Sequence, residues 1–189
     1  MDKEFFEMMY RRLNVGLPFY LTYHNVSHTQ YVLDKAIYLA KTEGCNEEEL
    51  RLISVAALYH DAGFLIGMEN HEEKGCRLVE TELPEYGFSP EEIEKICGMI
   101  MATKTPQNPG NVLERILADA DLFYLGTDQY FKMSSLLKKE LLHLTPSLDE
   151  ETWKQIQLNF LKIHHFHTDF GKSTLDPIKQ KNVELVMAS

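Results

Sequence analysis

The stretch AALYHDAGF, residues 56–64, joins an apolar run to two ionisable side chains. The run from Leu52 to Leu58 predicts a segment that enters the interior of the protein. His60 and Asp61 follow it, shortly before Gly63. A buried imidazole and a buried carboxylate cost free energy unless they pair, form hydrogen bonds or bind a metal. The rest of the chain should therefore supply groups that balance this pair.

Length and composition predict one compact domain, residues 1–189. The chain has 189 residues, of which 44% are hydrophobic, enough for a real core. It carries 19 Lys and Arg against 29 Asp and Glu, a net charge of -10. Such a balance argues against a nucleic-acid surface or an anionic-membrane surface. An anionic substrate would need a local cation or a metal.

The cysteines and the N-terminal segment predict a soluble, cytoplasmic protein. Cys45, Cys76 and Cys97 are odd in number and far apart, which favours reduced thiols. The opening residues, MDKEFFEMMYRRLN, form a charged amphipathic pattern instead of a secretory leader. No apolar run approaches the length needed to span a membrane.

Hydrophobic periodicity and capping signals predict an all-α, single-domain helical bundle. Helix starts are indicated at Asn46–Glu49, at Ser89–Glu92 with Pro90 in the first turn, and at Ser147–Glu150. The segment TPQNPG, residues 105–110, predicts a loop. The predicted helices lie near 2–12, 25–43, 47–60, 70–82, 90–103, 111–125, 128–143, 149–163 and 175–187.

Two further segments offer metal-ligand side chains. In YHNVSHTQYV, residues 23–32, His24 and His28 are four apart and share one face of a helix. In LADADL, Asp119 and Asp121 lie about 200° apart around a helix, so only one can face the same centre. With His60 and Asp61 they make a mixed nitrogen and oxygen set that suits a divalent ion.

Each of these residues also has a structural interpretation. His24 can be a hydrogen-bonded residue at a helix start, and Asp119 can cap a helix or form a salt bridge. His60 and Asp61 can mark a helix C-terminus, where the helix dipole favours histidine. Spacing alone leaves these alternatives open, because a fold must bring the distant segments together.

Three motifs in order resemble the HD-domain metal-dependent phosphohydrolase superfamily: YHNVSHTQYV, AALYHDAGF, and ILADADLFYLG at 116–126. The resemblance covers about residues 20–130, with helices from 131–189 expected to pack on that core. It implies a helical fold and one divalent ion, Mn, Fe, Co, Ni, Zn or Mg. The implied metal ligands are His28, His60, Asp61 and Asp121. Asp119 would then face away or support the site indirectly.

The resemblance also implies roles for four other side chains. His24 is similar to a histidine that some members place beside the leaving group, although a structural role fits it as well. His71 and Glu72 could shuttle a proton. Lys104, in IMATKT, suits a phosphate oxygen or, alternatively, a solvated helix C-terminus. It stands where a second metal would need another histidine, which disfavours a two-metal site.

The tract KIHHFHTDFGK, residues 162–172, holds His164, His165 and His167 outside the ordered motifs. Its His164, Phe166 and Thr168 resemble a C-terminal segment of small bacterial members of the superfamily. Two interpretations of the tract remain open, a pocket wall and a plain surface helix, and the surface helix is favoured. The spacing of Trp153, Phe160 and Phe166 predicts core packing. The role of the three histidines is not predicted.

The resemblance implies an enzyme that hydrolyses a phosphate ester of a nucleotide or another small phosphorylated metabolite. Asp61 would orient or deprotonate the attacking water, His24 would protonate the leaving oxygen, and Lys104 would neutralise charge. A regulatory module that binds a metal and a nucleotide without turnover is the main alternative. A di-iron oxygenase is a third hypothesis, and a homodimer is compatible with the sequence.

Overall fold

The computed structural model describes residues 3–188, and this part of the chain is helical without any β-strand. The predicted all-α bundle is therefore confirmed. The α-helices, numbered α1 to α9 in chain order, are Lys3–Gly16, Val26–Thr42, Glu47–Tyr59, His71–Glu82, Pro90–Ala102, Val112–Asp121, Tyr130–Leu144, Glu150–Ile163 and Asp176–Ala188. Among residues 3–188, no helix combines the length and apolar character needed to cross a membrane.

Side-chain caps fix where several helices begin. Asn46 and Glu49 form a reciprocal capping box at the start of α3, and Ser89 and Glu92 form another at α5. Both were predicted. The cap predicted at Ser147 is wrong, because the side chain of Asp149 accepts the bond from the Thr152 backbone N–H and starts α8.

Helix α6 is shorter than predicted, and its end bears on the site. It ends at Asp121 instead of near residue 125, and a 3₁₀ turn, Phe123–Gly126, follows it. All four residues of this turn are buried. Asp121 therefore occupies a helix C-terminus, a position from which its side chain can leave the helix surface.

Helices α2, α3, α5 and α6 pack around the core, with α2 in contact with both α3 and α6. Helix α4 packs against α5 and against the 3₁₀ turn Ala62–Leu65 that follows α3. The core is apolar and runs from α1 to α9, including Met9, Ile53, Leu58, Ile100 and Leu117. This packing brings the start of α2, the end of α3 and the end of α6 close together.

The C-terminal helices contact the turn after α6. Helix α9 packs on α8 and on Phe123–Gly126. The Asn182 side chain donates hydrogen bonds to the carbonyls of Leu125 and Thr127. Buried polar contacts of this kind fix the register between α9 and the turn, because either partner alone would be left unsatisfied.

Glycine at position 63 lets α4 approach the end of α3. A Cβ atom on Gly63 would lie 1.8 Å from the backbone oxygen of His71, closer than any real contact. Because this approach sets the first turn of α4, Gly63 also sets where His71 and Glu72 stand relative to Asp61.

We predict that Gly63→Ala lowers the free energy of unfolding by about 2 kcal/mol or more, because backbone must move to relieve the clash. Gly110→Ala is the control, since its Cβ would lie at an ordinary 3.4 Å from a flexible Glu114 side chain. Urea titration of both variants measures the effect. Equal stability of the two variants would contradict the packing described for Gly63.

Candidate metal centre

Three side chains from three helices converge on one point. His28 from α2, His60 at the end of α3 and Asp121 at the end of α6 each offer one atom, and these atoms lie within 4.8 Å of one another. His28 Nε2 is 3.0 Å from Asp121 Oδ1 and 3.4 Å from His60 Nε2. Within residues 3–188, this is the group of three that could hold a metal ion.

Asp61 adds a fourth atom to the cluster. Its Oδ2 lies 3.2 Å from His60 Nε2 and 3.5 Å from His28 Nε2. That oxygen is buried and has no hydrogen bond of normal geometry. Ligands at about 2.1 Å from an ion are about 3.0 Å apart in an octahedron and about 3.4 Å apart in a tetrahedron. The observed separations match such a ligand shell, and the donor set suits a divalent ion.

The orientation of His60 fits a metal ligand. Its Nδ1 lies 2.8 Å from the Ala57 carbonyl, to which Nδ1–H can donate, so Nε2 is turned toward the cluster. Burial alone would lower the pKa of His60, but the negative charges of Asp61 and Asp121 raise it to about 9. Burial raises the pKa of Asp61, whereas His60, His24 and His28 lower it well below its ordinary value. The carboxylate is therefore ionised.

The helix cap of α2 sets the position of His28. The Asn25 side chain accepts hydrogen bonds from the backbone N–H groups of Ser27 and His28. His28 therefore stands in the first turn of α2, and it is 2% exposed. The predicted motif around His24 and His28 thus contains its own helix start.

A cavity of about 210 Å³ opens beside the cluster. Its walls include Asp61 and Asp121 together with the predicted His24, His71 and Glu72. His71 Nε2 lies 3.5 Å from both Asp61 Oδ1 and Glu72 Oε1. Five of the predicted site residues therefore surround one space.

Glu140 of α7 holds His24, and the sequence analysis missed it. One carboxylate oxygen lies 2.6 Å from His24 Nδ1, and the other accepts from the backbone N–H groups of Tyr23 and His24. Burial alone would lower the pKa of His24. The hydrogen bond to Glu140 and the charges of Asp61 and Glu140 outweigh this effect, so the pKa lies above its ordinary value. No sequence signal in α7 points to this contact across 116 residues.

Phe64 orders two of the histidines. Its ring stacks on His71 with centroids 4.1 Å apart, and it lies 4.8 Å from the ring of His24 at a 31° tilt. The phenylalanine is part of AALYHDAGF and was not singled out from the sequence. Its position indicates that the motif supplies a positioning surface as well as the predicted ligands.

Lys104 does not line the cavity. Its Nζ lies 2.5 Å from Glu73 Oε1, and its side chain is 41% exposed. The neighbours Thr103 and Thr105 do face the cavity. Its predicted contact with a phosphate stays a prediction, and it would require the ion pair with Glu73 to open.

Asp119 has a different environment from Asp121, as the helical spacing indicated. It is fully buried and accepts hydrogen bonds from the backbone N–H groups of His167 and Thr168 and from the Thr168 hydroxyl. A Cβ on Gly171 would lie 2.4 Å from Asp119 Oδ2, so a larger residue there would disturb the contact. Asp119 thus anchors the segment after α8.

The surface helix favoured for the histidine tract is wrong. Residues 164–167 are not helical, and His164, Phe166 and Thr168 are buried in alternation with more exposed neighbours. Helix formation fails here because the backbone N–H groups of His167 and Thr168 bond to Asp119 instead. The pocket-wall interpretation fits, because all three histidines line a second, small cavity.

The predicted core packing of three aromatic residues holds in part. Phe166 belongs to the core, and Phe160 packs against it. Trp153 and Phe160 also line the cavity beside the metal cluster. Helix α8 therefore contributes an aromatic wall that periodicity alone could not distinguish from core.

The HD-domain family model matches residues 25–124, which is more than half of the chain. The chain belongs to the HD-domain family. The three motifs that suggested it lie on the helix ends that meet at the cluster, and proteins of this family are typically metal-dependent hydrolases that bind divalent ions. No curated protein gives a significant sequence match.

Three solved structures are similar over nearly the whole chain. A predicted HD superfamily hydrolase from an uncultured Thermotogales bacterium has 22% identity and a TM-score of 0.66, covering 98% of this chain and 90% of its own. A Lactobacillus plantarum protein has 18% identity and a TM-score of 0.67, with coverages of 99% and 97%. Bacillus subtilis YpgQ, solved with ADP, has 14% identity and a TM-score of 0.66, with coverages of 98% and 93%. At these identities the likeness shows a shared fold.

We predict that Asp119→Ala lowers the free energy of unfolding by about 3 kcal/mol, because three donors, two of them buried, lose their acceptor. Metal content should stay close to that of the unchanged protein, since Asp119 faces away from the cluster. Asp128→Ala, at an exposed site, is the matched control. Thermal unfolding and metal analysis on the same samples check both parts. A stable Asp119→Ala protein that has lost its metal would contradict the assignment.

Proposed function

We propose that this protein is a metal-dependent phosphohydrolase acting on the phosphate ester of a nucleotide or a similarly small metabolite. The observation that carries the proposal is the convergence of His28, His60, Asp61 and Asp121 at the wall of a cavity that also contains His24. These four residues are the proposed ligands of one divalent ion, whether Mn, Fe, Co, Ni, Zn or Mg.

Family membership supports the reaction class, and one structural relative supports the substrate. The HD-domain relatives include a predicted hydrolase. YpgQ, which shares the fold, was solved in complex with ADP. A nucleotide is therefore a chemically reasonable occupant of the corresponding cavity in this chain.

A divalent ion held there would polarise a phosphate oxygen and lower the pKa of water. Asp61 is the proposed residue that orients or deprotonates that water. The pKa of Asp61 lies well below its ordinary value because His60 is close, so the carboxylate is ionised and can accept a hydrogen bond from that water. Its Oδ2 has no hydrogen bond of normal geometry. Oδ1 faces His71 at 3.5 Å, so a proton accepted by Asp61 has a neighbouring base. His71 and Glu72 can then carry it away from the cluster.

His24 is the proposed proton donor to the leaving oxygen. Glu140 raises its pKa, which keeps the ring protonated closer to neutral pH. Because Nδ1 is held by Glu140, Nε2 is the nitrogen available to a substrate. A general acid in such a position contributes roughly 10²- to 10⁴-fold to turnover. Lys104 could add charge neutralisation only after leaving Glu73.

The first test of the proposal is metal content together with turnover. We predict close to one divalent ion per chain after loading, and hydrolysis of nucleotides or chromogenic phosphate esters that depends on that ion. Asp121→Ala should lose both, because one of the four ligands is removed. A protein that binds the ion and a nucleotide but turns over no phosphate ester would instead be the regulatory module considered above, and would overturn the proposal.

The second test separates His24 from the ligands. We predict that Glu140→Gln lowers kcat at neutral pH by about 10-fold or more without changing metal content. Loss of the Glu140 charge lowers the pKa of His24, so the alkaline limb of the pH–rate profile should move to lower pH. Glu151→Gln, exposed on α8, is the control. A profile that keeps its alkaline limb in Glu140→Gln would contradict the role of His24.

A further inference from the structure

Two of the three cysteines, which lie far apart in the sequence, meet in the folded protein. Cys76 is on α4 and Cys97 is on α5, and these two helices pack against each other. The Cys76 sulfur lies 3.6 Å from the Cys97 carbonyl oxygen, and the Cys97 sulfur lies 3.8 Å from the Cys76 carbonyl oxygen. Each thiol thus reaches the backbone of the other cysteine, so the two sulfurs are neighbours. Within residues 3–188 all three cysteines are free thiols.

The two thiols differ in exposure and in acidity. Cys76 is buried, whereas Cys97 is half-buried. When Cys97 is ionised, the Cys76 S–H can donate a hydrogen bond to the thiolate. This contact lowers the pKa of Cys97 and raises the pKa of Cys76, which burial raises as well. Because the thiolate is the reactive form of a cysteine, Cys97 is the sulfur that an oxidant meets first.

Helix α4 comes close to its neighbours at the level of the two cysteines, as a disulfide between helices requires. Gly75 precedes Cys76, and a Cβ atom on Gly75 would lie 3.0 Å from the Tyr59 backbone oxygen and 3.6 Å from the Ile100 side chain of α5. The absence of a side chain at Gly75 therefore permits this approach. Since each cysteine sulfur already contacts the other cysteine, bond formation needs side-chain rotation more than movement of the helices.

We propose that Cys76 and Cys97 form an oxidation site, at which hydrogen peroxide converts the two thiols into a disulfide between α4 and α5. The Cys97 thiolate attacks one peroxide oxygen and the O–O bond breaks, which leaves a sulfenic acid on Cys97. The departing hydroxide takes up the proton that Cys97 released. The Cys76 sulfur then attacks the sulfenic sulfur, and the hydroxyl group leaves with the Cys76 proton as a second water. Two electrons thus pass from the thiols to one peroxide.

The disulfide would hold the start of α4 against α5. Within residues 3–188, the side chain of Asn70 gives α4 no capping hydrogen bond, so the first turn lacks one support that other helices of the chain have. That turn bears His71 and Glu72, which line the cavity beside the metal cluster. Cys76 follows Glu72 by about one helical turn. Oxidation therefore fixes a helix start that forms part of the cavity wall.

Peptide mapping of the reduced, full-length protein tests the bond. The protein is exposed to a small excess of hydrogen peroxide, free thiols are blocked with N-ethylmaleimide, and trypsin is added without a reductant. Trypsin places the two cysteines on separate peptides, 75–77 and 96–104, and Cys45 on a third, 42–51. We expect 75–77 linked to 96–104, release of both by dithiothreitol, and N-ethylmaleimide on Cys45. Peptides 75–77 and 96–104 that both carry N-ethylmaleimide, or a link that involves Cys45, would overturn the proposal.

Three variants test the order of the two steps. Cys76→Ala should stop the reaction at a Cys97 sulfenic acid, which dimedone traps. Cys97→Ser should lower the oxidation of Cys76 at the same peroxide dose by about tenfold or more. Cys45→Ser is the control and should form the link as the unchanged protein does. Equal oxidation of Cys76 with and without Cys97 would overturn the assignment of Cys97 as the first sulfur. The mapping of the unchanged chain does not depend on how any variant folds.

Hydrogen exchange tests the effect of the bond on α4. We expect amide exchange in residues 71–79 to slow by about tenfold after oxidation and to recover with dithiothreitol, because the cross-link opposes local opening. Residues 176–188 of α9 should exchange at an unchanged rate, and Cys97→Ser treated with peroxide should show no slowing. Unchanged exchange in residues 71–79 of the oxidised protein would overturn the effect on α4. None of these measurements uses turnover, so their failure would leave the proposed hydrolysis standing.

Discussion

The site depends on one constraint: a buried aspartate and a partly buried one lie beside two buried histidines. Asp61 is 4% exposed and His60 is 1% exposed, so water cannot stabilise the carboxylate. The aspartate charges are tolerated because each faces histidine nitrogens at 3.0–3.7 Å. Removing one member would leave another charge buried without a partner, and such losses are costly. The four residues therefore behave as one unit.

This unit is assembled from helix ends. His28 stands in the first turn of α2, His60 caps the end of α3, and Asp121 is the last residue of α6. Side chains at helix ends can leave the helix surface and converge on one point. The relative position of the three ends then depends on the close packing of α2, α3 and α6, so a distant core change can alter the ligand geometry.

Helix α6 also links the cluster to the aromatic wall. Asp121 faces the ligands, while Asp119 holds the backbone at His167 and Thr168, just after α8. The buried Lys179 of α9 donates to the His164 carbonyl at the end of α8. Asp119 and Lys179 thus both hold the segment at the end of α8. Helix α6, which bears a proposed metal ligand, is in this way connected to α8, which bears Trp153.

Local patterns made much of the fold predictable, and distant contacts did not. Capping boxes depend on residues three apart, so α3 and α5 could be placed from the sequence. The three motifs indicated which residues would meet. Glu140 could not be found, since its contact with His24 depends on how α7 packs. The helix favoured for the histidine tract was wrong because the backbone N–H groups of His167 and Thr168 bond to Asp119. This contact depends on the fold and not on local sequence.

The cluster can remain balanced before an ion arrives, because a proton can take the place of the metal. The folded pKa of His60, about 9, lies above its ordinary value of 6.5. A raised pKa means that protonation stabilises the folded state fully below pH 6.5, and that this contribution is lost as pH rises through about 9. A metal ion bound by the proposed ligands would displace that proton, so protons and metal would compete for the site. Asp61 and Asp121, the aspartates proposed as metal ligands, thus also hold protonated His60 in place when no ion is bound.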